Sequence, residues 1–502
     1  MADDNVVNAL RSILDGRWGD MRDRVRQQLG TADWATPLEV VPMADYRART
    51  TGQLLQLLNA DWAEVGFSAE PGNRGDAGAS LTFFETLAHA DLSLFVKLGV
   101  QIGLFGGAVA GLGTQRHHSA YLPAIATGEL LGCFAMTETS GGSDVANLKT
   151  TATFDPETDE IVVHTPTPGA TKDYIGNAAR DGRMAAVFAQ LIVDGASHGV
   201  HCVLVPIRDA EGAALPGVTL SDCGPKMGLP GVDNGRIAFD SVRVPRANLL
   251  DRFGAIDDEG TYRSPIENDS RRFFSMLGTL VRGRVSVGAA AGAATRNGLT
   301  LAVRYAVRRE QFQRPGEGGG IPLLEYATHR RRLLVPLARS YALALATNAL
   351  IEDHHELDQE QAGSGLEGAE GASQGDAGVD EARVRRLEER AASLKIANTA
   401  HATKTLQACR EACGGAGYMW ENRFGAWKND TDVFTTFEGD NIVLLQLVAK
   451  GLLTNYRDSF QSFDTAGMIR FVARRGRERH RTGVRRVDHP TAHRRCTREG
   501  RG

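Results

Sequence analysis

Little in this 502-residue sequence points to a special environment. Its six cysteines, Cys133, Cys202, Cys223, Cys409, Cys413 and Cys496, are scattered through a long chain. That spacing argues against a disulfide-stapled scaffold and for reduced thiols. Cys409 and Cys413 fall on one face of a helix, but no further ligands lie nearby, so they read as structural and no metal site is expected. No apolar run reaches the roughly 18 residues a membrane helix needs. Leu98–Gly113 comes nearest and is broken by Gln101 and six glycines. The start, Met1-Ala-Asp-Asp-Asn, lacks the basic-then-apolar order of a secretory leader, and the end lacks a Ser-Lys-Leu type address. These absences lead to the expectation of a cytoplasmic protein with no membrane contact. The net charge is only -4, which argues against specific nucleic-acid binding by the whole molecule.

What is present is an ordinary soluble composition, 42% hydrophobic and 24% charged, in a chain long enough for two to four domains. Two segments depart from it. Glu352–Ala382 holds ten acidic residues and six glycines without a Lys or Arg, and reads as a solvated loop, residues 352–382. From Arg470 to Gly502 there are twelve arginines against three acids, in a stretch with no apolar periodicity. Residues 461–502 are therefore expected to be a basic, irregular tail.

Residues 1–132 read as mainly helical: Val6–Leu14 and Tyr46–Val65 have apolar positions at three- and four-residue spacing, and Thr82–Leu104 is apolar and helix-compatible. From Cys133 the pattern changes to short β-rich runs, Thr150–Phe154, Glu160–His164, Met184–Val193, Val200–Pro206 and Arg236–Val244, separated by Asp-Pro, Asp-Gly, Pro-Gly and Asn-Gly turns. Helical periodicity returns at Met276–Gln313, Tyr326–Asp353, Glu381–Ala412 and Ile442–Tyr456, with Pro336 expected to kink or interrupt the second of these. The fold class is α+β: an N-terminal helical domain (1–132), a central β-barrel or sandwich domain (133–265) and a C-terminal helical bundle (266–460).

Six segments have the residue types for chemistry. Cys133-Phe-Ala-Met-Thr-Glu-Thr-Ser-Gly-Gly-Ser-Asp144 runs from an apolar strand into hydroxyls and glycines, which let a backbone approach a flat or anionic ligand. Thr171-Lys-Asp-Tyr-Ile-Gly-Asn-Ala178 sets an aromatic before a small turn, and Asp222–Gly254 is a long Gly/Pro-punctuated run. In Arg308-Arg-Glu-Gln-Phe-Gln-Arg314 the guanidinium groups suit a diphosphate, or simply a helix C-terminus. Glu411-Ala-Cys-Gly-Gly-Ala-Gly-Tyr418 can cradle a phosphate or merely end a helix. In Asp432-Val-Phe-Thr-Thr-Phe-Glu-Gly-Asp-Asn441, Glu438 is a lone carboxylate after an aromatic stretch. Such surroundings raise a carboxylate's pKa and suit a general base. An acid favouring the dipole of the helix from Ile442 is the competing reading. The pairs His117-His118 and His354-His355 do not converge as ligands. Gly106–Gly111 lacks the strand and acid of a dinucleotide loop.

Taken together these motifs resemble those of the acyl-CoA oxidase and dehydrogenase superfamily over roughly Ala79–Tyr456, and the long runs match the oxidase branch better. The resemblance implies an acyl-CoA dehydrogenase-like fold, FAD as cofactor, and Glu438 as the catalytic base. It implies flavin contacts from Thr137, Thr139, Ser143, Tyr174 and Gly176. Arg308 is implied at the FAD pyrophosphate of a neighbouring subunit in a homodimer, with Gly414 and Gly415 near the adenosine half. The implied reaction is α,β-desaturation of acyl-CoA to trans-2-enoyl-CoA in fatty acid β-oxidation. Oxygen is the acceptor in the oxidase reading and an electron-transfer flavoprotein in the dehydrogenase reading. Family oxidases continue into a further helical domain, which is not matched here. A truncated, inactive homologue serving as a scaffold is the remaining alternative.

Overall fold

The computed structural model describes residues 4–60, 75–276, 280–313, 316, 319–363 and 381–461. The chain divides into a body, Met1–Val448, and a second unit, Ala449–Gly502, whose described part is helical. The tail expected from residue 461 and most of the acidic segment lie outside the described residues.

The N-terminal region is helical: α1 (Asp4–Asp15), α2 (Gly19–Leu29), α3 (Met43–Leu58), α4 (Ala77–Leu87), α5 (Leu92–Leu98), α6 (Gly107–Leu112) and α7 (Gln115–Thr127). The Asp76 side chain caps α4 at Ala79 N–H, and Asp91 caps α5 at the Ser93 and Leu94 N–H groups, as short acidic side chains do at helix starts. Gly128, at φ +77°, ends α7 in the left-handed conformation that favours glycine. A π-helical stretch, Gly99–Gly106, joins α5 to α6. The continuous helix Leu92–Leu112 thus has the length and hydropathy to cross a membrane, as has Ala327–Glu360. This corrects the sequence expectation of no such run, because Gln101 and the glycines do not break the helix. Leu92–Leu112 is mostly buried inside the protein; Gln101 donates to the Ile125 and Leu130 carbonyls.

The central region holds β1 (Gly132–Ala135), β2 (Thr151–Asp155), β3 (Glu160–His164), β4 (Lys172–Ile175), β5 (Met184–Val193), β6 (Ala196–Pro206), β7 (Val218–Asp222), β8 (Gly235–Phe239), β9 (Val242–Pro245), β10 (Ala255–Ile256) and β11 (Tyr262–Arg263). A six-stranded sheet is built around β5, which pairs with β6 on one edge and with β1 and β2 on the other; β3 and β9 follow β2. A three-stranded sheet, β4-β8-β7, shares its core through Ile175, Val218, Ile237 and Phe239. The run expected as one strand, Arg236–Val244, is split into β8 and β9 by Ser241 at φ +54°.

The C-terminal region holds α8 (Asp269–Met276), α9 (Leu280–Arg308), a hairpin of β12 (Glu310–Gln313) and β13 (Gly320–Pro322), α10 (Ala327–Gly363), α11 (Glu381–Ala412), α12 (Phe424–Val433) and α13 (Asn441–Gln461). α9 and α11 run parallel. A Cβ on Gly288 would meet the Lys395 backbone at 3.2 Å, and one on Gly298 would meet Leu406 at 2.6 Å. Small residues on this face let the two backbones approach. Three helical expectations need correction. α9 ends at Arg308 rather than Gln313, because 310–313 pairs with 320–322 across a glycine-bearing turn. α10 runs through Pro336 without interruption. It also extends to Gly363, so the first part of the acidic segment is helix; Glu356 and Glu360 pair with Arg383 of α11.

Candidate active site

Between α12 and α13 the chain makes a tight turn. Phe434 and Phe437 pack edge to face at 5.2 Å, and Asn441 N–H donates to the Thr435 carbonyl at 3.0 Å, closing the loop. Inside it Glu438 takes φ +54° and Gly439 φ +93°. A left-handed glutamate is uncommon and costs energy that the surrounding contacts must supply. The two sequence readings of Glu438 separate here. Asp440, not Glu438, caps α13, accepting from Ile442 N–H at 2.8 Å. Glu438 instead lines a cavity of about 2180 Å³. This is about twice the roughly 1,000 Å³ upper end of ordinary ligand pockets.

The Glu438 side chain keeps partial exposure to that cavity, while its Oε2 is sealed from solvent and has no hydrogen-bond partner among the described residues. Gly283, at the start of α9, makes room for it: a Cβ there would lie 2.7 Å from Oε2. Burial pushes the carboxyl up to about 7, against the opposing pull of Arg284 and then Lys395. Lys395, fully buried on α11, donates to the Gly439 carbonyl at 2.6 Å and to Asn441 Oδ1 at 3.0 Å, so one ammonium both fixes the turn and biases the carboxylate. Its own pKa is pushed down to about 8 by burial. A base near neutrality, desolvated and with a free lone pair, is suited to removing a weakly acidic proton.

Four other sequence-expected residues line the same cavity: Thr137, Ser143, Tyr174 and Gly176. They come from the turn after β1 and from the end of β4. Tyr174, at φ +64°, is 62% exposed. The β4 end is held by Lys97, whose Nζ reaches Asn177, Asp181 and Asp233 at 2.9, 2.7 and 2.5 Å. Thr139 is turned away from the cavity: its hydroxyl donates to the Thr171 carbonyl and to Asp173. Arg308, Gly414 and Gly415 are also absent from the lining. Arg308 lies about 37 Å along α9 from Gly283 at the helix rise of about 1.5 Å per residue. The parallel α11 carries Gly414 and Gly415 to that same distant end.

Arg284, Lys395 and His354 were not foreseen as site residues. Lys395 follows the buried run Ala391–Ala392 on α11, a charged residue at a core register, and that was the available signal.

Residues 133–242 match the family described as acyl-CoA dehydrogenase, middle domain, and 277–453 match the acyl-CoA oxidase C-alpha1 domain. The chain is 40% identical over 461 residues to acyl-coenzyme A oxidase 2, peroxisomal, of Arabidopsis thaliana. The chain belongs to the acyl-CoA oxidase family. The alignment covers 90% of this chain and 63% of that relative. Acyl-coenzyme A oxidase 3, peroxisomal, also of Arabidopsis thaliana, is 35% identical over 90% of the chain and 65% of its own length. Thus the chain spans less than two thirds of the length of these acyl-CoA oxidases. Among solved structures, acyl-CoA oxidase 1 of Yarrowia lipolytica superposes with a TM-score of 0.80 at 29% identity, covering 91% of this chain and 65% of that one. Acyl-CoA oxidase 1 of Caenorhabditis elegans, complexed with FAD and ATP, gives 0.73 at 24% identity over 91% of this chain and 65% of its own, which speaks to the fold alone. The cytoplasmic expectation is overturned by this comparison, since both Arabidopsis relatives are peroxisomal by name.

Proposed function

We propose that the chain carries the catalytic portion of an FAD-dependent acyl-CoA oxidase, converting acyl-CoA and O2 into trans-2-enoyl-CoA and hydrogen peroxide. The observation that carries this is the desolvated, partnerless carboxylate oxygen of Glu438, on a large cavity that Thr137, Tyr174 and Gly176 also line.

The residues present fit FAD. The cavity has room for a second ligand beside the thioester, and neither the Thr137 nor the Ser143 hydroxyl makes a hydrogen bond among the described residues, so both are available to a ligand. When bound, FAD supplies the acceptor for the β-hydride. Glu438 takes the α-proton. The Glu438 backbone N–H, which has no acceptor among the described residues, is a donor for the thioester carbonyl as negative charge develops on it. The apolar wall of Phe84, Val96, Val100 and Phe437 excludes water from the acyl chain and keeps the carboxylate desolvated. Arg308, Gly414 and Gly415, grouped at the other end of the bundle, are read as serving the cofactor of a second copy, which makes a homodimer the working assembly.

The test is anaerobic addition of acyl-CoA to the flavin-loaded chain, followed by air. Bleaching near 450 nm and then peroxide are expected. Bleaching that air does not reverse, but an electron-transfer flavoprotein does, would favour the dehydrogenase reading; no bleaching would refute both. A second expectation concerns Lys395. Replacing it with methionine removes a cation that lowers the Glu438 pKa, so the limb of the kcat/KM profile governed by the base should move to higher pH. An unshifted limb would mean that Lys395 does not act on this carboxylate.

A further inference from the structure

From Glu438 the cavity continues between the start of α9, the end of α10 and the start of α11, where Arg282, Arg284, His354, Asp358 and Glu388 line it. Val281, Leu357, Val384 and Leu387 line the same stretch, so an apolar chain fits the arm, and its polar atoms are what can tell one chain end from another. Two of its polar atoms are buried without a hydrogen-bond partner: His354 Nδ1 and Arg284 Nε. His354 is only 8% exposed. Leaving such atoms unpaired in the interior is costly unless something else meets them. Burial, with Arg282 nearby, pushes the His354 pKa down to about 3, so the ring is neutral, with one nitrogen donating and the other accepting. The charges of the arm oppose one another: Arg284 acts on both Glu438 and Glu388. No net charge is left over for an ionised ligand.

We propose that this arm receives the far end of the acyl chain and that the preferred substrates carry an uncharged oxygen there, a hydroxyl, rather than a methyl or a carboxylate. A hydroxyl both donates and accepts, so it can pair with the buried Nδ1 of a neutral imidazole in either tautomer. The inference rests on the proposed oxidation at Glu438 and adds the substrate class.

Peroxide formation by the full flavin-loaded chain is to be measured with octanoyl-, dodecanoyl- and hexadecanoyl-CoA and with the ω-hydroxy and ω-carboxy counterpart of each. At the length that reaches the arm, kcat/KM is expected to be about tenfold higher for the hydroxyl than for the methyl end, since a site built to bond an OH rejects the analogue without it. His354→Leu should abolish this ratio and His354→Gln should keep part of it. Because His354 Nδ1 is unpaired, leucine removes no protein hydrogen bond there, and the thermal midpoint checks folding. Calorimetric binding to Glu438→Gln should give the same ranking without turnover. No peroxide from any plain acyl-CoA would overturn the oxidase reading beneath the inference. Peroxide from plain chains with no gain from the hydroxyl at any length would overturn the inference alone. So would a preference for the carboxylate, or a hydroxyl preference that survives His354→Leu.

Discussion

Glu438→Gln is expected to lower kcat for acyl-CoA oxidation by roughly 10²- to 10⁴-fold, the usual range for loss of a positioned base, while the protein still binds flavin. Glutamine keeps the shape of the side chain and cannot accept the α-proton. The same variant should change stability in a pH-dependent way. In the folded chain the carboxyl holds its proton up to about 7, against an ordinary value of 4.5. Below about pH 4.5 the group is neutral whether folded or unfolded, and glutamine confers no advantage. Between 4.5 and 7 the unfolded chain releases the proton while the folded chain retains it, so wild-type stability falls as pH rises. Above 7 the folded chain holds a desolvated anion, and the glutamine variant should then have the higher thermal midpoint. Thermal melts at pH 5 and pH 8.5 check this. Equal midpoints at pH 8.5 would mean that the carboxylate is solvated, and its role as a raised-pKa base would fail with it.

Lys97→Met is expected to destabilise the fold by about 3–5 kcal/mol, the cost of stranding buried charges when one partner of an ion pair is removed. Lys97 is fully buried on α5, as is Asp233; Asp181 is nearly so. Asp233 also accepts from the Arg180 and Asp181 N–H groups, so the cluster ties the turn after Tyr174 and Gly176 to the N-terminal helices. Loss of the ammonium leaves two carboxylates facing each other in the interior. Denaturant midpoints should show the loss, flavin affinity should fall with it, and Asp233→Asn in the same chain should restore part of the stability by removing one stranded charge. A Lys97→Met chain as stable as the wild type would mean that the cluster does not hold the β4 end in place.

Much of the fold was legible because period decides it. β2 and β3 alternate inward and outward along Thr151–Asp155 and Glu160–His164, which is how a half-buried strand reads in sequence. β7 escaped notice because only Val218 of Val218–Asp222 is buried, leaving no alternation to see. The hairpin after Arg308 was mistaken for helix because Glu310–Gln313 is exposed throughout and carries no pattern of its own. Pro336 was expected to break α10, but packing of that helix against α9 and α11 outweighs one lost backbone bond.

The candidate site divides along the same line. Glu438 was legible from its neighbours in sequence: aromatic residues before it and glycine after it. The groups that set its proton affinity were not, because Arg284 and Lys395 come from two helices far away in the chain. Only the parallel packing of α9 on α11, made close by Gly288 and Gly298, brings them to one turn. His354 was dismissed as half of an adjacent histidine pair. The pair does diverge: His355 faces Asp76 at 3.0 Å, while His354 lines the cavity. Arg308, Gly414 and Gly415 shared a sequence argument with Thr137 and Tyr174, yet they occupy the opposite end of the bundle. Distance along a helix is what separates them.

Proton removal at Glu438 can be isolated from every later event with a thioester whose β-carbon is replaced by sulfur, which loses its α-proton but cannot lose a β-hydride. Incubated in D2O with the flavin-loaded chain and examined by mass spectrometry, it is expected to take up deuterium at the α-carbon. The rate should rise with pH to a plateau above about 7, and Glu438→Gln should give none. Uptake at the wild-type rate in Glu438→Gln, or a rate flat from pH 5 to 9, would show that another group is the base.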